Sequence, residues 1–143
     1  METIGLVCLY GITAFDDIRT KQVRLIEIII FGIIGLVINW IWHPNSIASL
    51  LGGIGIGIFS IALSVATKEK IGLGDAYIIL VTGIYIGFMN TAILLWMSSI
   101  FATIYGIIAI RKYDNKDIEI PFVPFLLLGY LVMFVVGVMR GIL

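Results

Sequence analysis

Six apolar runs, separated only by short charged or Pro/Asn-containing breaks, dominate this chain: residues 3–15, 23–42, 46–66, 76–88, 90–110 and 121–143. A helix needs about 20 apolar residues to cross a hydrocarbon core of about 30 Å. The second, third, fifth and sixth runs are long enough, and the first and fourth are short. Short spans thin the bilayer around them or leave their ends partly submerged. Composition agrees, since 61% of the 143 residues are hydrophobic and 13% charged, against roughly 45–50% apolar residues in an ordinary soluble domain. The expected fold is an all-α integral membrane protein, a six-transmembrane-helix bundle forming one membrane-embedded domain over residues 1–143. The first run has Glu2 in place of a basic flank and no A-x-A-like site after it, so it reads as a retained span rather than a cleaved signal peptide.

The charges set the orientation. If successive breaks alternate sides, Arg19, Lys21, Arg24, Lys68, Lys70, Arg111, Lys112 and Lys116 gather on one side, and only Arg140 lies on the other. The positive-inside rule makes the first side cytoplasmic, with both termini and the "HPN" and "FMN" turns outside. Trp40 and Trp42 beside "HPN" suit an aromatic belt at the outer interface. Nine cations balance nine anions, so charge gives no reason to expect a nucleic-acid partner. Cys8 is the single cysteine and His43 the single histidine. No Cys/His metal site is expected, His43 reads as a loop residue, and no cofactor is called for.

"LLGGIGIGIFSIALS", residues 50–64, places Gly53, Gly57, Ser60 and Ser64 at small-xxx-small spacing. Such a stripe lets a second helix approach the backbone closely. A phosphate-cradling loop needs a strand-to-helix turn that nothing here supplies. Met133 and Met139 in the last run read as packed or lipid-facing side chains.

Most acids sit where a carboxylate is cheap. Glu2 is terminal, Glu69 is in a charged break, and Asp114, Asp117 and Glu119 are in the last polar break. Their ordinary role is solvated surface. Glu27 follows Arg24 by three residues, the spacing of an ion pair on one helix face. Asp16, Asp17 and Asp75 differ, because "FDDIRTKQV" closes the first run and "GLGDAY" opens the fourth. Both motifs therefore reach the same cytoplasmic face. An ionisable group bordering a span is a functional candidate by default; the bland alternative is that these acids balance the neighbouring Arg19, Lys21, Lys68 and Lys70. Gly72 and Gly74 tip the balance by leaving backbone room beside Asp75. A peptide laid there would bring its carbonyl to Asp75, with a second aspartate opposite. Two neighbouring carboxyls cannot both ionise easily, so one keeps a proton while the other activates water.

Taken together, "DIRTKQV" (17–23), "GLGD" (72–75) and "PFVPFLLLG" (121–129) in six apolar runs resemble the type IV prepilin peptidase family, GxGD-type membrane aspartic proteases that include archaeal preflagellin peptidases. The resemblance spans essentially the whole chain. It implies an enzyme of the cytoplasmic (inner) membrane, multi-pass and with its active site at the cytoplasmic face. Its partners would be the lipid bilayer and prepilin-like proteins, such as pilins, Tad-type pilins or archaellins, whose short basic leader it removes after a glycine. Carried over, Asp17 and Asp75 are the catalytic pair, Gly72, Gly74, Pro121 and Pro124 shape the site, and Asp16 is a neighbour that tunes the pair or is simply hydrated. No metal is implied.

The chain departs from the family pattern at two places. Arg24 follows Val23 where relatives commonly have proline, and Tyr77 stands where many have lysine, so both are candidate modulators. Larger relatives also methylate the new N-terminus and carry a cysteine-containing insertion; this chain has no such insertion, and a minimal peptidase is expected. Two other classes compete with the enzyme. A transporter subunit binding a proton or cation at Asp75 alone would not need Asp17. An inactive scaffold of a pilus or secretion system would tolerate neutralisation of both aspartates.

Overall fold

A computed structural model describes residues 2–20, 24–42, 45–68, 72–114 and 121–141. Five helices follow one another: α1 (Glu2–Thr20), α2 (Leu25–Trp42), α3 (Ile47–Ala66), α4 (Leu73–Tyr113) and α5 (Val123–Met139). Of these, α2, α3 and α4 are long and apolar enough to cross a membrane. The sixth apolar run yields a helix of only 17 residues. Lys21, Val23, His43, Glu69, Lys70, Lys116, Asp117 and Glu119, to which the sequence assigned places, lie outside the described residues.

α4 has 41 residues, and a straight helix of that length would reach about 60 Å, twice the hydrocarbon thickness. It is interrupted at Gly87, whose φ of 74° and ψ of −176° are non-helical and suit a residue without a Cβ. The neighbours of its two arms show that the chain doubles back there. Along the first arm, residues 73–86, Gly57 of α3 lies against Leu80 and Gly53 against Gly83, so α3 runs antiparallel to it. α1 does the same, with Gly5 beside Tyr85 and the Tyr10 hydroxyl 2.6 Å from that of Thr82. α5 runs antiparallel to α1, because Tyr10 meets Tyr130 with ring centroids 5.7 Å apart while Asp17 meets Val123. It is also antiparallel to the second arm, residues 88–113, since Gly129 lies beside Leu94 and Ser98 and Phe125 stacks near Tyr105. The two arms of α4 therefore point in opposite directions. The expected turn at "FMN" falls one residue earlier, on Gly87, and Phe88 to Asn90 continue as helix. The fourth and fifth runs thus share one interrupted helix, and among the described residues five helices are observed where six were expected.

A break inside an apolar bundle frees backbone groups that lipid cannot satisfy. Three polar side chains meet them. Asn39 Nδ2 donates to the carbonyl of Ile84 at 2.5 Å, Asn45 Nδ2 to that of Tyr85 at 2.9 Å, and the Phe88 N–H donates to Ser49 Oγ at 3.2 Å. Asn39 is buried in the apolar second half of α2. Asn39→Leu is expected to destabilise the bundle by about 2 kcal/mol, because the Ile84 carbonyl loses its donor; denaturant titration in detergent micelles measures it.

The core forms where α1, the first arm and α5 meet, around Leu6, Leu9, Tyr10, Ile78, Val81, Tyr85, Leu126 and Val123. Tyr85 reaches further and donates from its hydroxyl to the Phe31 carbonyl of α2 at 2.9 Å. The outward faces are apolar as well, with Trp40 and Trp42 79% and 60% exposed. Gly53, Gly57 and Ser64 are the buried residues of α3, so its small-residue stripe is a packing surface.

Candidate active site

The antiparallel arrangement brings the end of α1, the start of α4 and the start of α5 to one end of the bundle. Asp17 lies in the last turns of α1 and is 6% exposed. A buried carboxylate needs a donor, and the Val123 N–H supplies one to Asp17 Oδ2 at 3.3 Å. That donor is available for a local reason. The first N–H groups of a helix have no partner within it. In α5 the Phe125 and Leu126 N–H groups turn back to the Phe122 carbonyl, Pro124 has no N–H, and Val123 is left to point outward. The positive end of the α5 dipole thus faces Asp17. Pro121 and Pro124 frame this helix start, with Pro124 in its first turn.

Asp75 sits at the third position of α4, whose N-cap is Gly72. An acid in the first turn is favoured by the helix dipole, and here it is half-buried. Asp75 and Asp17 lie close enough to interact electrostatically. Gly72 has φ −58° and ψ 131°, ordinary values for any residue. What it contributes is space, since a Cβ there would lie 3.3 Å from Asp75 Oδ2. Gly74, in the same turn, is half-buried.

The remaining candidates fall elsewhere. Asp16 is only 17% exposed at its side chain, with Oδ2 3.6 Å from Arg24 Nε, and Arg24 Nη1 is 3.9 Å from Glu27 Oε1. Arg24 therefore makes the expected i,i+3 pair and also ties the end of α1 to the start of α2. Asp16 is held in a pair rather than simply hydrated. Tyr77 follows Asp75 by two residues, which turns it to another face of the helix, and it packs against the core. Among the described residues, no three His, Cys, Asp or Glu side chains converge as a metal site would need. Sequence reasoning missed Val123, whose role is carried by its backbone; the doubled proline of "PFVPF" was the signal, since it marks a helix start with an unpaired N–H.

An all-helical bundle with three membrane-length apolar helices is an integral membrane protein, and two of its carboxyls lie near one another at one end. It belongs to the type IV leader peptidase family, which its sequence matches over residues 4–107. Membership makes it a membrane peptidase of the kind that processes prepilin-like substrates. The match includes both aspartates and ends before α5. No curated protein and no solved structure gives a significant match.

Proposed function

We propose that this protein is an aspartic endopeptidase that removes the short basic leader of prepilin-like precursors at the cytoplasmic face of the inner membrane, with Asp17 and Asp75 as its catalytic pair. The observation that carries the proposal is that Asp17 and Asp75, 58 positions apart in sequence (75 − 17), come to one end of the bundle close enough to interact electrostatically. In this proposal the chain crosses the membrane six times, the two arms of α4 counting separately, and both termini lie outside. The substrate's apolar helix lies beside the first arm and α5, and its leader remains in the cytoplasm.

The chemistry follows from two carboxyls that share one proton. The ionised one takes a proton from water as the water oxygen attacks the scissile carbonyl carbon, and the protonated one donates to the carbonyl oxygen. Collapse of the tetrahedral intermediate breaks the C–N bond as the departing nitrogen is protonated. The Val123 N–H would hold Asp17 in place throughout, and Gly72 would leave a gap for the peptide backbone beside Asp75.

The test is incubation of the protein, purified in lipid, with peptides made of a basic leader, a glycine and an apolar run. A cut after the glycine, read by product mass, is expected. The rate should follow a bell-shaped pH profile, because only the singly protonated pair is active. Intact peptide in the presence of folded protein would overturn the proposal and favour a transporter or scaffold.

A further inference from the structure

The end of the bundle away from the aspartates contains a second feature. A cavity of about 620 Å³ opens there, between the start of α1, the Gly87 break, the first turns of the second arm and the last turns of α5. Its polar lining includes Asn45, Asn90 and Arg140, and its apolar lining includes Ile93, Met97 and Met133. We propose that this cavity binds one anionic phospholipid, with the phosphate at Arg140 and Asn90 and an acyl chain along Ile93, Met97 and Met133.

Charge complementarity selects this occupant. Arg140 is the cation that the sequence sets apart from the eight others, so the attraction for an anion at this end of the bundle converges on the cavity. The arginine fork suits a phosphate oxygen pair. The lining is also divided as an amphiphile is, with hydrogen-bonding groups and a cation for a head and branched and thioether side chains for a chain. An apolar peptide helix would bury Arg140 without a counter-charge, which is costly. A lipid in this place touches Ile86 beside Gly87 as well as α5, and so braces the two elements that the break in α4 leaves to be held by side chains. The inference does not rest on the peptidase chemistry at the opposite end.

Native mass spectrometry of the full chain, released from micelles containing equal amounts of a phosphatidylglycerol and a phosphatidylcholine of the same acyl chains, tests it. One phosphatidylglycerol is expected to be retained in preference. Arg140→Gln is expected to weaken that retention about fivefold, the effect of one interfacial cation on an anionic lipid. Met133→Trp, which fills the apolar part, should remove it; if that variant fails to fold, Asn90→Leu, at the polar end, should weaken retention instead. Equal retention of the two lipids, or unchanged retention in Arg140→Gln, would overturn the proposal. So would displacement of the lipid by millimolar inorganic phosphate, which would indicate a site for a free anion, or by an apolar prepilin segment, which would indicate a groove for substrate.

Discussion

Gly53→Val is expected to lower the thermal midpoint of the protein in detergent by about 10 °C or more, while Gly55→Val, two residues along the same helix, changes it little. A Cβ on Gly53 would collide with the carbonyl group and Cα of Gly83, all of them backbone atoms that no rotamer change can move. The converse holds for Gly83, whose Cβ would strike the backbone of Gly53. Relief requires α3 and the first arm of α4 to separate, yet Gly57 is seated on Leu80 one turn away and Gly52 on Phe88 at the other side. Overpacking ordinarily costs about 1–3 kcal/mol, and a backbone-to-backbone clash lies at or beyond the top of that range. At about 2–4 °C per kcal/mol for a chain of this size, the expected shift follows. Gly55 has open space around its Cβ position, so its replacement adds a lipid-facing side chain and strains nothing.

The second large effect is on activity. Asp17→Asn and Asp75→Asn are each expected to reduce leader cleavage by about 10³-fold or more, with the bundle still folded, because an amide can neither take a proton from water nor share one. The helical signal by circular dichroism separates this loss from unfolding. Asp16→Asn is the matched control. It removes a contact of 3.6 Å to an arginine whose side chain is 74% exposed, an interaction worth at most about 1 kcal/mol. Cleavage within about fivefold of the parent chain is expected there. The comparison also separates the enzyme from a transporter subunit, which would depend on Asp75 and not on Asp17.

Much of this arrangement was legible from local patterns. The apolar runs marked the helices, and Gly53 and Gly57 marked the face on which α3 packs, because small residues at helical spacing leave a groove that something must fill. The acids that close one run and open another pointed to a common end of the bundle. What escaped was either conformational or distant in sequence. The break in α4 was expected at "FMN", but its exact place on Gly87 was not, since one glycine among 16 carries it. Its support comes from Asn39 and Asn45, 45 and 40 positions from the carbonyls they bind. An asparagine inside an apolar run does announce that a partner exists. It does not say which carbonyl. The Val123 donor to Asp17 is 106 positions away, and only the proline pattern at the start of α5 hinted at it. Arg24, conspicuous as a departure from the family pattern, finds a structural use in linking Asp16 and Glu27.

A shared site makes one further demand: if a single water and a single proton lie between Asp17 and Asp75, the two residues fail as a unit. The measurement to make is the rate of leader-peptide cleavage in lipid by Asp17→Asn, by Asp75→Asn and by the protein carrying both changes, under single-turnover conditions. The double variant is predicted to be no slower than either single one, since the first substitution already removes everything the pair does. Losses that multiply in the double variant, or full activity in either single variant, would contradict a site built from the two carboxyls together.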